Sequence, residues 1–194
     1  MTAFNIYLTG VGGQGIGMLS EILLRGADHA GLAVKGVDTH GLAQRGGVVV
    51  SRIRIGTSAH SPLIAVKTAD LVVALERHEA YRAMELAIKD GGCLIYYDTV
   101  WQPISVRLNE AEKIGEATIK KQAESRGVRV VPVIDPDLED PRMQNIAVLA
   151  RIDCLGLVPG VTTEHYLEAM KDLMPPGQLE TNRAVFDRKP AAQG

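Results

Sequence analysis

Apolar and polar residues alternate along the chain in two periods that predict strands and helices in turn. Residues 4–9 form a short apolar run that predicts a buried strand, and residues 10–15 form a glycine-rich turn. Apolar residues recur at helical spacing over residues 16–30, with Gly31 as a stop, and residues 32–37 predict a second strand. A strand, turn, helix and strand within about 30 residues predict the βαβ unit of a parallel sheet.

The next stretch departs from a simple repeat of that unit. Residues 41–47 predict a loop, and the β-rich residues 48–55 predict a strand. Residues 56–61 offer a turn, after which residues 62–66 can return as a partner strand. We therefore expect a β-hairpin excursion at this point of the sheet.

The remainder of the chain alternates strands with helices. Short apolar runs predict strands at residues 71–75, 93–97 and 128–133. Helical spacing predicts helices at residues 79–89, 110–125 and 143–155, and from Thr162 or Thr163 to Leu173, where a Pro-Pro-Gly run must stop the helix. The pattern predicts an α/β fold, a three-layer α/β/α domain over residues 1–188 with a mostly parallel, Rossmann-like sheet. Residues 189–194 are expected to be a disordered tail.

Charge and hydropathy exclude two kinds of partner. With a net charge of −2 and a pI near 6.2, the chain lacks the basic character usual in nucleic-acid-binding proteins. Its start lacks the basic region of a signal peptide, and no apolar run approaches the roughly 20 residues that span a bilayer. We expect a cytoplasmic protein with no nucleic-acid and no membrane partner.

The two cysteines, Cys93 and Cys154, are far apart in the sequence. An iron–sulfur cluster or a structural zinc needs about four thiolate or imidazole ligands, commonly with C-x-x-C spacing. We therefore expect no metal site in this chain, and we expect both cysteines to pack as small apolar residues.

The glycine-rich turn, G-V-G-G-Q-G, matches the G-x-G-x-x-G pattern. With Asp38 at the end of the second predicted strand, it is the formal fingerprint of a dinucleotide site, in which a helix N-terminus holds a pyrophosphate and an acid holds a ribose. Against NAD or FAD, a loop and a hairpin replace the next crossover helix, and the Gln14 amide could clamp a neighbouring loop as readily as a ligand. The turn is therefore a structural connection, a site for a phosphate-bearing ligand, or an interface. Its candidate binding residues are Gly10, Gly12, Gly13, Gln14 and Gly15.

Residues 38–47, D-T-H-G-L-A-Q-R-G-G, are the most unusual stretch of the chain. Gly46 and Gly47 allow a tightly turned backbone beside Arg45, which suggests a loop shaped for contact. His40 is a weaker candidate, because a lone histidine is usually a structural group. We take His40, Arg45, Gly46 and Gly47 as candidate binding residues.

Arginines in the following strand extend the candidate site. The period of two places Arg52 and Arg54 on one face of that strand. Together with Arg45 they could form a basic stripe near the start of the first helix, where guanidinium groups suit phosphate or carboxylate. The alternative is a solvated hairpin face whose arginines discourage edge pairing.

A polar cluster, Glu76, His78 and Glu79, follows the third predicted strand of the parallel set. The ends of parallel strands are the usual ligand side of such a sheet. A cap at the start of the next helix is the explanation that we favour for these residues.

Three of these stretches resemble a known family. G-V-G-G-Q-G at residues 10–15, D-T-H-G-L-A-Q-R-G-G at residues 38–47 and V-V-V-S-R-I-R-I-G at residues 48–56 are similar to the gamma-type domain of the pyruvate/2-oxoacid:ferredoxin oxidoreductase superfamily. The T-H-G-x-x-Q-R-G-G form is most similar to the beta subunit of indolepyruvate:ferredoxin oxidoreductase. The similarity is specific over about residues 5–100 and further relates Asn145 to a family asparagine near a helix start.

The resemblance implies an oxidoreductase subunit that is inactive alone. In the family a 2-oxoacid is decarboxylated on thiamine diphosphate, electrons pass singly through iron–sulfur clusters to ferredoxin, and the acyl group goes to coenzyme A. This chain has no Gly-Asp-Gly magnesium motif and no clustered cysteines, so the resemblance implies that thiamine diphosphate, magnesium and the clusters lie on a larger partner subunit.

The same resemblance implies a supporting role for this chain. It would bind no cofactor firmly and supply no catalytic residue, while the glycine-rich turn, Arg45 and Arg52 line a surface for the partner or for the phosphates of coenzyme A. The alternative is an autonomous NAD-, FAD- or nucleotide-binding Rossmann-like module.

Overall fold

A single mixed sheet organises the part of the chain that the structure, a computed structural model, describes: residues 3–39, 47–100 and 114–188. Its six strands run in the order β2-β3-β1-β4-β5-β6. The strands are β1 (Phe4–Val11), β2 (Val34–Thr39), β3 (Val48–Ile55), β4 (Ala69–Ala74), β5 (Ile88–Tyr97) and β6 (Arg129–Val133). The helices are α1 (Ile16–His29), α2 (Arg77–Leu86), α3 (Glu116–Ser125), α4 (Gln144–Cys154), α5 (Thr163–Leu173) and α6 (Pro176–Asp187), with a 3-10 turn at Pro141–Met143 before α4.

Strand β3 makes the sheet mixed. It pairs antiparallel with β1 on one side and with β2 on the other, whereas β1, β4, β5 and β6 are parallel to one another. The mostly parallel sheet predicted from the sequence is confirmed. The predicted partner of this strand is wrong, because residues 62–66 form no strand and β3 lies between β1 and β2.

The alternating side chains of β3 explain this position. Ile53 and Ile55 are buried in the core that includes α1, whereas an outlying hairpin would leave them in water at a cost in free energy. Pro62 has no N–H to donate to a strand ladder, and Leu63 and Val66 are 64% and 71% exposed. The β-hairpin excursion of this fold is therefore the β2–β3 pair, and residues 62–66 belong to a loop.

Two hydrophobic cores lie on opposite faces of the sheet. Side chains of β4 alternate between them: Leu71 and Val73 join the core of α1, α4, α5 and α6, while Val72 and Ala74 join the core of α2 and α3. This period of two is what a strand buried on both faces requires. The three-layer α/β/α architecture is confirmed.

The C-terminal helix α6 has no counterpart among the elements predicted from the sequence. Helix α5 ends at Leu173, as the Pro-Pro-Gly run predicts, and α6 begins directly afterwards at Pro176. Val185 and Phe186 of α6 are buried in the core that α4 shares. Proline is common at the first position of a helix, so the same run ends one helix and begins the next.

Some predicted elements lie wholly or partly outside the described residues. These are the tail at residues 189–194, most of the loop predicted at residues 41–47, and the first residues of the helix predicted from residue 110. The predicted start of that helix is wrong, because α3 begins at Glu116 after an extended N-cap residue, Gly115. Within the described ranges, no helix is long and apolar enough to cross a membrane.

Candidate functional site

The glycine-rich turn connects β1 to α1 and is fastened to the start of β3. The Gly12 N–H donates a 2.9 Å hydrogen bond to the carbonyl oxygen of Gly47, and the Gln14 N–H donates to the carbonyl oxygen of Val11 at 3.1 Å. Gly10 still belongs to β1 and pairs with Val49 of β3. The structure thus brings Gly47 against the turn, and two of the amides that a phosphate cradle would use are already occupied.

Two positions in the turn require glycine for their backbone conformation. Gly13 and Gly15 have φ angles of 102° and 81°, which are left-handed values that side chains disfavour. Gly15 is also crowded, since a Cβ atom there would lie 2.5 Å from Asn145 Nδ2. The sequence motif therefore reflects a real steric requirement, whatever the turn binds.

Gln14 shapes the turn from within. Its side chain is 2% exposed, and its Oε1 accepts a 2.7 Å hydrogen bond from the Val11 N–H. A Cβ atom at Gly10 would lie 2.9 Å from that Oε1, so the glutamine folds back over the end of β1. Its Nε2 is buried and has no hydrogen-bond partner among the described residues. The sequence left open whether the Gln14 amide holds a neighbouring loop or a ligand. In the structure, its carbonyl oxygen holds the backbone of the glycine-rich turn to which Gln14 itself belongs.

Asn145, near the start of α4, supports the other end of the turn. Its Nδ2 donates a 3.2 Å hydrogen bond to the carbonyl oxygen of Gly15, and the residue is 5% exposed. The asparagine fixes the position of the α1 N-terminus relative to α4.

A cavity of about 350 Å³ opens beside the start of α1. The N-cap residue of this helix, Gly15, provides no side-chain hydrogen bond, and the first N–H groups of a helix have no intrahelical partner. Such a terminus attracts anions. The cationic group in the lining, Arg142, is already held by Asp140 through Nε and Nη2 at 3.0 and 2.7 Å. The lining residues are Gly13, Gly15, Met18, Asp140, Arg142, Met143, Asn145, Gln178 and Asn182.

Asp38 does not occupy the position of a ribose-binding acid. In a dinucleotide fold the first two strands are neighbours, but here β3 separates β2 from β1, which moves the acid about 5 Å farther away. Its carboxylate also accepts a 3.0 Å hydrogen bond from the Ser20 hydroxyl of α1. The formal fingerprint is therefore present in the sequence without its geometry.

Arg52 and Arg54 lie on one face of β3, as the period of two predicts, but this face is opposite to α1. Arg52 lies over the ring of Tyr7, with its Cζ 5.6 Å from the ring centroid. Arg54 Nε donates to Asn5 Oδ1 at 2.9 Å and its Nη1 to the carbonyl oxygen of Ser61 at 3.1 Å. The structure therefore does not bring these two arginines to the start of α1. The other candidates, His40, Arg45 and Gly46, lie outside the described residues.

The polar cluster after β4 forms the expected helix cap. Glu76 is the N-cap of α2, and its Oε2 accepts a 2.9 Å hydrogen bond from the Glu79 N–H, while its Oε1 lies 2.8 Å from His78 Nδ1. The Thr9 hydroxyl, beside the glycine-rich turn, donates to Glu79 Oε2 at 3.2 Å, and Arg82 Nη1 donates to Oε1 at 3.1 Å. Burial raises the pKa of Glu79. These groups join α2 to the end of β1.

In the described part of the chain, no group of three or more histidine, cysteine or acidic residues could hold a metal ion. Cys93 is partly buried and packs against the core of α1, and burial raises the pKa of its thiol. Cys154 is exposed, so the expectation that both cysteines pack as apolar residues is wrong for this one, which lies at the last position of α4.

Sequence comparisons relate nearly the whole chain to one family. A family model described as pyruvate ferredoxin/flavodoxin oxidoreductase matches residues 5–189. Indolepyruvate oxidoreductase subunit IorB of Archaeoglobus fulgidus is 33% identical over 175 residues, which are 88% of this chain and 85% of that protein. The protein of the same name from Pyrococcus horikoshii is 28% identical over 191 residues, 96% of this chain and 94% of that one.

Solved structures share the fold at lower identity. The gamma subunit of a keto/oxoacid ferredoxin oxidoreductase from Geobacter sulfurreducens has a TM-score of 0.64 at 22% identity, over 97% of this chain and 99% of that one. A 2-oxoglutarate:ferredoxin oxidoreductase from Magnetococcus marinus, with 2-oxoglutarate, coenzyme A and succinyl-CoA bound, has a TM-score of 0.69 at 20% identity over 98% of this chain. The match spans only 31% of that longer chain.

Proposed function

Because the chain belongs to the pyruvate ferredoxin/flavodoxin oxidoreductase family, we propose that it is the small subunit of a 2-oxoacid:ferredoxin oxidoreductase that acts on indolepyruvate. The substrate comes from the names of the IorB relatives, which match this chain over most of their own length. The observation that carries the proposal is that these matches cover most of both chains.

The chemistry of the complex belongs to a larger subunit in this proposal. Thiamine diphosphate with magnesium supplies the carbanion chemistry of decarboxylation, iron–sulfur clusters carry the electrons to ferredoxin, and coenzyme A takes the acyl group. The residues of this chain do not fit those cofactors: the sequence has no Gly-Asp-Gly motif and two separated cysteines, and the described residues form no metal-ligand cluster.

The role that remains for this chain is to dock on the larger subunit and support it. The glycine-rich turn favours a structural function, since its Gly12 and Gln14 amides bond within the protein and Gln14 and Asn145 hold it from two sides. A contact with the phosphates of coenzyme A is a second candidate for the same edge. The uncapped start of α1 and the neighbouring cavity favour it.

Reconstitution tests the proposed function. The chain is co-expressed with a larger subunit that carries the thiamine and cluster motifs, and reduction of ferredoxin is measured with indolepyruvate, pyruvate and 2-oxoglutarate. We expect activity with indolepyruvate from the complex and none from the chain alone. Oxidation of a 2-oxoacid by the purified chain, or bound flavin or nicotinamide in its absorption spectrum, would contradict the proposal.

The variant Arg45→Ala distinguishes docking from coenzyme A binding. If Arg45 contacts coenzyme A, acyl transfer should fall while decarboxylation of the 2-oxoacid continues. If it contacts the partner, both half-reactions should fall together as the complex dissociates. Arg183→Ala, at an exposed position of α6, is the matched control and should leave both half-reactions unchanged.

A further inference from the structure

One half of the sheet is covered by helices on only one face. Helix α1 packs against β2 and β3 on that face. The core on the other face, which contains α2 and α3, includes no residue of β2 or β3. In the described part of the chain, the side chains of these two strands that point away from α1 therefore have no helix above them.

The pairing register shows which residues share this uncovered face. Arg52 of β3 is directly opposite Tyr7 of β1 and Val37 of β2, and directly opposed residues point to the same side of a sheet. Val48 and Val50 follow from Arg52 at the period of two. Tyr7 lies at the border of this face, because it also packs against the core of α2 and α3. We call these five residues, Tyr7, Val37, Val48, Val50 and Arg52, the open face.

The open face is apolar at its centre. Val48 is 45% exposed, and Val37, Val50 and Tyr7 are all partly accessible. The solvent face of a one-sided sheet normally carries polar side chains, so a patch of valines beside a tyrosine is typical of a contact surface.

Positive side chains of β2 and β3 border this apolar centre, while the Glu79 carboxylate acts on Tyr7 from the α2 side. Lys35 of β2 lies directly opposite Arg54 of β3, and like charges in opposed positions destabilise a sheet unless other charges compensate. The groups that bind Arg54 are a neutral amide and a carbonyl oxygen. Among the described residues, no acidic side chain forms an ion pair with Lys35, Arg52 or Arg54. Since the whole chain carries a net charge of −2, this face concentrates positive charge in an otherwise acidic protein.

Arg52 is prepared for a carboxylate ligand. Its guanidinium lies over the Tyr7 ring at 5.6 Å, an interaction that holds the side chain in place through its flat face. The N–H groups at the edge of the guanidinium can still donate two parallel hydrogen bonds to one carboxylate. The chemistry of the site is thus an anchored cation at the edge of an apolar patch.

We propose that the open face docks this chain onto an acidic, apolar-centred surface of the larger subunit, with partner carboxylates meeting Arg52 and Lys35 and partner apolar side chains covering the valines. The inference rests on the proposed function and adds the surface and the chemistry of its partner. It assigns Arg52 to protein docking, away from the cavity at the start of α1.

Charge reversal in the co-expressed complex tests this surface. Arg52→Glu should weaken association by about tenfold or more, because it places an acid against partner carboxylates. The matched control, Lys121→Glu, reverses an exposed charge on α3 at the opposite end of the sheet and should leave the dissociation constant unchanged. Val48→Thr keeps the shape of the side chain but replaces a methyl group with a hydroxyl, so it should weaken association without changing its salt dependence.

Other occupants of the face give different results. If residues of this chain cover it, Arg52→Glu will lower the melting temperature of the isolated chain by more than Arg52→Ala, which loses the same contact with Tyr7, and that result overturns the proposal. A second copy is indicated, and the proposal overturned, if the isolated wild-type chain is a dimer and Arg52→Glu is a monomer. Equal affinity of Arg52→Glu and wild type for the larger subunit overturns it as well. If the wild-type chain binds no larger subunit that carries the thiamine and cluster motifs, that result would instead contradict the proposed function.

Discussion

Asn145 Nδ2 donates a 3.2 Å hydrogen bond to the carbonyl oxygen of Gly15 across a sequence separation of 130 residues. The same nitrogen occupies the space that a Cβ atom at Gly15 would need, at 2.5 Å. One contact therefore links the end of the glycine-rich turn to α4 and also explains why position 15 accepts only glycine. This pairing leads directly to a test by coupled substitutions.

Gly15→Ala should lower the free energy of unfolding by about 2–4 kcal/mol, because it combines left-handed backbone strain with a clash. Asn145→Ala alone should cost about 1–2 kcal/mol through the lost hydrogen bond. In the double variant the clash is removed. Its loss of stability should therefore be smaller than the sum of the losses in the two single variants. Chemical denaturation of the four proteins measures this coupling.

Gly17→Ala is the control for that cycle. Gly17 lies in the first turn of α1 with no atom within 4 Å of a Cβ at this position, so alanine should leave stability unchanged or raise it by up to about 1 kcal/mol. Strictly additive effects of Gly15→Ala and Asn145→Ala would show that the two residues do not constrain each other.

Glu79 gives the protein a pH-dependent contribution to stability. Burial raises the pKa of this carboxyl in the folded state, so the folded protein binds the proton more tightly than the unfolded chain. Its contribution is fully present below the unfolded pKa and is lost as pH rises through the folded pKa. Glu79→Gln retains an acceptor for Thr9 without the charge, so its stability relative to wild type should increase as pH rises from about 4 to 7.

Urea denaturation at several pH values measures that difference. Arg82→Gln provides the comparison, because the Arg82 guanidinium favours the ionised form of Glu79, and its loss should steepen the decline of stability with pH. A pH-independent difference between wild type and Glu79→Gln would show that Glu79 is equally easy to ionise in both states.

Sequence patterns predict well which side chains of a strand share a face. They predict less well whether that face points toward a helix or away from it. The period of two correctly groups Arg52 with Arg54 on one face of β3. These arginines would lie near the start of α1 only if that face pointed toward the helix. In the structure Ile53 and Ile55 take the helix-facing side because they are apolar. That choice depends on where β3 enters the sheet, between β1 and β2, which no local pattern encodes.

The candidate site shows the same limit. The glycines at positions 13 and 15 indicate a left-handed backbone from the sequence alone, because few other residues adopt that conformation. Asn182, which lines the cavity beside α1, lies on a helix that begins within the same Pro-Pro-Gly run that ends α5. Periodicity in this short C-terminal segment is weak, and its burial becomes visible only when α6 packs against α4.

Asp38 should act as a structural residue and not as a ribose ligand. Its carboxylate accepts a hydrogen bond from Ser20, and β3 separates it from β1. We expect no binding of NADH or FAD by fluorescence titration of the isolated chain. Asp38→Ala and Ser20→Ala should each lower stability by about 1 kcal/mol, and the double variant by little more than either. Tight nicotinamide binding that Asp38→Ala abolishes would restore the dinucleotide interpretation.

Helix α6 should be essential to the stability of the core on the α1 face, although the sequence pattern does not predict this helix. Phe186 is fully buried and packs in the core that contains α1 and α4. Phe186→Ala should therefore lower the free energy of unfolding by about 3–5 kcal/mol through lost burial and a cavity. Glu180→Ala, at an exposed position of the same helix, should change it by less than about 0.5 kcal/mol. Thermal unfolding of the two variants decides the matter, because a dispensable α6 would make their midpoints equal.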